Sequence, residues 1–496
     1  MTILVSGGHV LNRSYTALER ADILIESDRI KAVGGVLEVP PDAHRLDATG
    51  CLVLPGLVNA HTHAHNNLLK GLADNWTLED LLNHGTALNG NRTPEDQYLS
   101  AAIGAVEMLK NGCTAAYDLF MAVPAPTAEG VEAIVRAYTD VGLRAVIAPA
   151  MADLVFYQTV PGLLELLPPD LRRTVEGMQA APTEGLLQVA EDTVRRWHGT
   201  ASGRVHTAIA PTIPGQCGDA FFTGCVRLAR EYGVDLHTHL AESKVQAVAS
   251  RQRWGTTLVG RLAALGALGP RFVGAHGVWL TDDDIRRLAD AGAAVAHNPA
   301  SNLKLGCGIA PVREMVEQGL TVGLGTDGAM SSDNLNLFEA MRFAALVGKV
   351  RFPHEPARWI GAQTAWELAT RGSARVLGMA DLLGAVAPGY KADLVFLRSD
   401  SACLRPMNHP LNALVYAETG ADVETVLVDG RIVLEHGEVR TVNEARLRAQ
   451  AQEAADRVRS YNQTAWILAE QLSPYVASAC RAAVATPYPV QRYAAP

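Results

Sequence analysis

Four short motifs in this chain carry groups able to hold a metal ion or move a proton. His61-Thr-His63 follows the apolar run Cys51–Ala60. His239 is followed three residues later by Glu242, His276 closes Phe-Val-Gly-Ala, and Asp327 ends Val-Gly-Leu-Gly-Thr. Side chains alternate along a strand, so His61 and His63 point to one side, as two ligands of one ion must. Imidazoles with a carboxylate form a donor set for zinc or, alternatively, iron. An ion held this way activates water, which predicts a hydrolase. Asp327 suits a ligand that also accepts a proton from that water, and Glu242, one turn beyond His239, suits a proton shuttle.

Alternatives attach to several of these residues. His65 shares the parity of the pair and reads either as a pocket wall or as a structural histidine, and His237 reads the same way. Glu242 would also serve as an early-helix acid offsetting the helix dipole. His297-Asn-Pro-Ala-Ser-Asn302 offers polar groups for a loop or a substrate. Gly323-Leu-Gly-Thr-Asp-Gly328 matches the letters of a dinucleotide loop. Its aspartate, however, would face a pyrophosphate, which is electrostatically wrong. His276, Asn302, Trp76 and Tyr157 are the candidate substrate contacts.

Such scattered groups need a scaffold that gathers strand ends. Strand-like runs recur at Leu52–Ala60, Thr114–Asp118, Arg144–Pro149, Val205–Ala210, Val234–His239, Phe272–His276, Ala293–His297 and Thr321–Asp327, with amphipathic segments between them. Eight βα units predict an α/β fold, a (β/α)8 TIM-type barrel with its site at the C-terminal ends of the strands. Short β-like runs at both chain ends predict a small composite β-sandwich domain from residues 1–55 plus 381–440, beside a catalytic barrel over 56–380. Residues 441–496 read as a helical extension with a loose tail. The Pro-rich stretch from Met151 to about Thr200 reads as a lid, or as an insertion unrelated to chemistry.

Composition narrows the classes. Over 496 residues, 48% are hydrophobic and 19% charged, with a formal net charge of −9. That suits a folded enzyme and gives no electrostatic reason to expect nucleic acid or an anionic membrane. Seven scattered cysteines without a C-x-x-C pair fit a reducing cytoplasm rather than a disulfide framework.

Together these pieces resemble the amidohydrolase superfamily, in its branch of aminohydrolases and chlorohydrolases acting on heterocycles. The matching motifs are Pro55–His63, Glu107–Thr114, His239–Glu242, Ala275-His276, His297–Asn302 and Gly325–Gly328, with Gly389–Val395 and Val426–Gly430 later. The resemblance implies one divalent metal on His61, His63, His239 and Asp327, with Glu242, His276 and Asp327 in the chemistry. It also implies a small-molecule substrate and a homo-oligomer. The expected reaction is C–N cleavage, deamination releasing ammonia, with amide, carbamate or urea hydrolysis as the alternative. The branch's adenosine-type deaminases carry a histidine after the fourth strand, where this chain reads Ala210-Pro-Thr212. Their acidic, tryptophan-ended segment after the histidine pair is also altered here, at Lys70–Leu81. Both changes weigh against a nucleoside.

Overall fold

A computed structural model describes residues 2–12, 15–35 and 37–493. Its parallel strands form two four-stranded arcs. The first holds Leu57–Thr62, Cys113–Phe120, Arg144–Met151 and Val205–Thr207, the last continuing as Ala210–Pro211. The second holds Leu236–Leu240, Phe272–His276, Ala294–His297 and Thr321–Leu324. Single parallel bridges, Ile209 to Leu236 and Thr62 to Asp327, join the arcs at both seams. The architecture is that of a TIM barrel, with these strands numbered one to eight below. Strand four breaks after Thr207, so the expected continuous run Val205–Ala210 is two short pieces.

Alternation decides what each strand faces. Ala115, Tyr117 and Leu119 cluster with Val146, Ala148 and Ala150. Their neighbours Ala116, Phe120, Ala145, Ile147 and Met151 join the larger core packed with the helices. The Tyr117 ring lies 4.4 Å from that of His237, and His237 lies 5.1 Å from His61, so the first set faces the interior that carries the histidines.

The run Leu52–Ala60 is two strands rather than one. Cys51–Pro55 pairs antiparallel with Leu394–Arg398 in a seven-stranded sheet, and only Leu57–Thr62 enters the barrel. Proline lacks the N–H to continue a ladder. Gly56 then passes so close to Thr114 that a Cβ there would lie 2.0 Å from its hydroxyl. A second sheet of four strands holds Thr2–Ser6, Asp22–Glu26, Arg29–Gly34 and His44–Asp47. Ile3, Val5, Ile23 and Ile25 of this sheet share one core with Val53, Leu394, Phe396 and Leu427 of the other. Arg144, at the start of strand three, ties the barrel to these strands. Its guanidinium forks onto Asp393 at 3.2 Å through two nitrogens and reaches Asp429 at 2.5 Å, all three side chains being buried.

Beyond the barrel the chain forms two helices, Glu444–Tyr461 and Gln463–Ala485. They part at Asn462, whose buried amide donates to the Gly90 carbonyl at 2.8 Å. The second helix packs on Leu78–Asn83, on Leu163–Leu166 and on Lys244–Trp254, each following a different barrel strand. The tail is not loose as far as Tyr493. Arg492 is buried, its guanidinium donates to the Leu280 carbonyl at 2.5 Å, and its own carbonyl accepts from Ile309. The stretch after strand three divides in function. Its first part lies against the C-terminal helix through Tyr157, Val160, Leu163, Leu472 and Val476, whereas Thr183–Trp197 packs on the helix Asp219–Tyr232 as a barrel helix. Among the described residues no helix is long and apolar enough to cross a membrane.

Candidate active site

The ends of strands one, five and eight bring His61, His63, His239 and Asp327 together, one ligand atom from each within 4.8 Å of the others. All four are buried. His63 Nδ1 donates to the Leu119 carbonyl and His239 Nδ1 to the Thr212 carbonyl, each at 2.6 Å. Such bonds fix the tautomer and aim the other ring nitrogen inward. The two Nε2 atoms then lie 3.2 Å apart, both near a carboxylate: Asp327 Oδ1 is 3.1 Å from His63 Nε2 and 3.2 Å from that of His61. Lone pairs that face one another need a positive charge between them. Donors at about 2.0–2.1 Å from one tetrahedral ion sit roughly 3.3 Å apart, close to these separations. Both ring nitrogens of His61, and Asp327 Oδ1, have no hydrogen-bond partner among the described residues. The donor set therefore fits a single divalent ion.

The titration behaviour agrees. Burial pushes His61 down to about 3 against the pull of Asp327, so this imidazole stays neutral and available. At His63 burial also works downward, but the charge of the adjacent Asp327 prevails and raises it. A proton on His63 is the cluster's own substitute for a cation. Burial alone would raise the Asp327 carboxyl, yet His63 and His61 hold it well below the usual range.

Beside the ligands stands an acid–imidazole pair. Glu242 Oε1 is 3.6 Å from His276 Nε2, and both side chains are buried. His276 Nδ1 donates to Asn302 Oδ1 at 2.9 Å, and Asn298 Nδ2 donates to His276 Nε2 at 3.4 Å. Burial foremost, then the charges of Asp327 and Glu79, pushes the Glu242 carboxyl well up. Backbone strain collects here: Ala241, His276 and Asp327 have φ of 46°, 72° and 59°. Left-handed residues other than glycine cost about 1–3 kcal/mol each and persist where surrounding structure enforces them, commonly at active sites.

A model of the Amidohydrolase family matches residues 52–433. The chain belongs to this family. It is 34% identical over 456 residues to a 5'-deoxyadenosine deaminase of Methanothermobacter thermautotrophicus, covering 92% of this chain and 98% of that one. A 5-methylthioadenosine/S-adenosylhomocysteine deaminase of Carboxydothermus hydrogenoformans is 32% identical, with 91% and 97% covered. Among solved structures, atrazine chlorohydrolase from Arthrobacter aurescens complexed with zinc superposes with a TM-score of 0.81 at 29% identity, covering 91% of this chain and all of that one. An adenosine deaminase from Xanthomonas campestris with bound zinc gives 0.81 at 26%, covering 92% and 98%.

Other amidohydrolase motif residues take supporting places. His65 accepts the Met121 N–H at 2.9 Å on Nδ1, with its ring edge-on to His63. Neither ring nitrogen of His237 has a hydrogen-bond partner among the described residues. Gly325 admits the close approach of Asn298 and His61, to which a Cβ would come within 2.3 and 2.8 Å. The glycine-rich match is therefore a packing device around Asp327. Of the candidate substrate contacts, Asn302 lies against His276, whereas Trp76 stacks on His84 at 4.2 Å and leans on Trp466 of the C-terminal helix. Tyr157 is buried and donates to Asn83 Oδ1 at 3.0 Å.

Sequence reading missed three supporting residues, Asp118, Ser331 and Glu79, and offered Asn298 only as a loop or substrate group. Asp118 accepts the Ala64 N–H at 2.8 Å and so fixes the turn after His63, while Ser331 donates to Asp327 Oδ2 at 2.5 Å. Asn298 orients His276, and Glu79 holds Ser243 beside Glu242 at 2.6 Å. Only Ser331 carried a signal, four residues past Asp327 on a turn; the others act across folds of the chain.

Proposed function

We propose that this amidohydrolase deaminates an amino-substituted heterocycle, replacing an exocyclic amine with oxygen from water and releasing ammonia. The observation that carries the reading is the buried Glu242–His276 pair set beside the three-histidine, one-aspartate cluster. A divalent ion on His61, His63, His239 and Asp327, which we take to be zinc, supplies a water of lowered pKa and a Lewis acid. Asp327, with Ser331 on its other oxygen, accepts a proton from the attacking water. Glu242 starts protonated because burial raises its carboxyl, and gives its proton to the ring or leaving nitrogen. Neutral His276, held by Asn302, offers Nε2 towards Glu242 and orients the reacting oxygen. As the new C–O bond forms and the C–N bond breaks, the proton on Asp327 passes to the departing amine, and the hydrogen left on the new oxygen returns to Glu242 as the ring carbonyl forms.

The relatives named as adenosine-type deaminases support an aminopurine ring. A second reading, hydrolytic dechlorination of a triazine, is favoured by Thr212 standing where adenosine-type deaminases carry histidine. Both are tested by supplying amino- and chloro-substituted purines and triazines to the metal-loaded protein and following ammonia and chloride. Ammonia from an aminopurine supports the first reading, and chloride without ammonia supports the second. We also read the two antiparallel sheets as the faces of one small β-sandwich built from both chain ends, which their shared core supports.

A further inference from the structure

Two left-handed residues set the acid–imidazole pair: Ala241, immediately before Glu242, and His276 itself. Strained backbone persists only where neighbouring structure holds it. Trp279, three residues past His276, supplies that hold. Its backbone N–H donates to the Ala241 carbonyl at 2.8 Å, and its indole N–H donates to the Cys307 carbonyl, also at 2.8 Å. The Cys307 N–H in turn donates to the Asn302 carbonyl at 2.8 Å, and Asn302 Oδ1 accepts from His276 Nδ1. One tryptophan therefore braces both partners, Glu242 through Ala241 and His276 through Cys307 and Asn302.

The docked tail is what covers this brace. Trp279 is fully buried, and the rings of Tyr493 and Tyr488 stand edge-on to it at 5.0 and 6.0 Å. Such contacts bury the indole and fix its orientation. Arg492 clasps the two loops that Trp279 joins. Its guanidinium donates to the carbonyl of Leu280, the residue after Trp279, and its own carbonyl accepts at 2.7 Å from Ile309, two residues past Cys307. Gly308 makes room for that approach: its φ is 120°, and a Cβ there would come within 2.9 Å of the Arg492 carbonyl oxygen. Lys244, two residues past Glu242, adds a second tie. Its amine lies 5.7 Å from the Trp279 ring centre and donates to the Val484 carbonyl at 2.6 Å. The carbonyls that anchor His63 and His239 belong to Leu119 and Thr212, which lie off this path.

We propose that the tail is a positioning strap: Arg492 and Tyr493 hold Trp279, and Trp279 holds Glu242 and His276 in the geometry that moves the proton. These are positioning residues, acting on the reaction only through the pair. Residues 488–493 lie outside the stretch 52–433 that matches the family model. The strap rests on the deaminase reading for the role of the pair, but its primary test does not depend on turnover.

Nitrogen-15 NMR of the histidines in the zinc-loaded full chain follows the His276 Nδ1–H, identified by its loss in His276→Gln. In Arg492→Ala its exchange with solvent should speed up about tenfold or more, with zinc per chain unchanged. Ammonia release should lose about 10- to 100-fold in kcat, the scale for a misplaced reacting group, with little change in KM. Trp279→Phe keeps a ring against Tyr493 and gives up the bond to Cys307, so it should act the same way, and it carries the test should Arg492→Ala fail to fold. In the double variant kcat should fall no further than in the more damaged single one, because both act on one path. Additive losses, or unmoved His276 exchange in a folded variant, overturn the strap. Faster His276 exchange without ammonia from any amine sustains the strap and removes the deaminase reading. Ammonia release with unmoved exchange leaves that reading standing and removes the strap.

Discussion

Replacing Glu242 by glutamine isolates the proton-transfer role. The amide has the shape of the acid and can still donate to His276 Nε2, now 3.6 Å from the carboxylate. The Glu242 N–H remains bonded to Gln246, and none of the four ligand residues is touched. A positioned general acid–base contributes about 10²–10⁴ in rate. Its neighbours cannot take over: Asp327 belongs to the ligand set, and Glu79 is committed to Ser243. The loss should therefore fall in the upper half of that range, about 10³–10⁴ in kcat, or roughly 4–5.5 kcal/mol on the barrier. The assay is steady-state ammonia release together with metal content per chain. A fall below tenfold at full metal occupancy would refute the role, and a large fall with loss of metal would show Glu242 to be a structural support of the cluster.

Three further outcomes follow from the geometry. Asn302→Ala removes the acceptor that fixes the His276 tautomer, so kcat should fall about tenfold or more with metal content unchanged; the kinetics of the metal-loaded variant check this. His61 titrates at about 3 when folded, below its ordinary 6.5. The unfolded state thus binds the extra proton between those values, and this contribution to stability is whole above pH 6.5 and is lost as pH falls towards 3. At 1.36 kcal/mol per pH unit the loss reaches about 5 kcal/mol at most, measured by urea unfolding of metal-free protein, and a flat profile would contradict it. Arg144→Met leaves Asp393 and Asp429 buried without the guanidinium; Lys391 still reaches Asp429 at 3.1 Å. We expect about 3 kcal/mol of destabilisation, the lower end for breaking a buried pair, read from the shift in the denaturation midpoint.

The ligand cluster was legible because each member ends an apolar run, and a barrel gathers strand ends whatever their distance in sequence. His61, His63, His239 and Asp327 accordingly converge, as their strand-end positions and the family resemblance together led us to expect. Boundaries were less visible. Leu52–Ala60 has continuous β-type composition, and only the missing N–H of Pro55 and the close approach at Gly56 divide it between two sheets. The docked tail was illegible because Arg492 is held by a backbone N–H about 180 residues away and a carbonyl about 210 residues away in sequence, and no local pattern encodes such a bond. Asp118 and Glu79 escaped for the same reason: their residue types are ordinary, and their meaning comes from the atom across the fold. Gly323–Gly328 shows the converse, a recognisable pattern whose physical cause is the packing of His61 and Asn298 around Asp327.

The central claim is that one divalent ion on His61, His63, His239 and Asp327 is required for ammonia release. It is tested most directly by stripping the metal, titrating zinc back, and following bound metal and ammonia release from an aminopurine together. The account predicts no turnover without metal and a linear rise that saturates at one ion per chain. Full turnover in metal-free protein, or saturation only at two ions per chain, would contradict it.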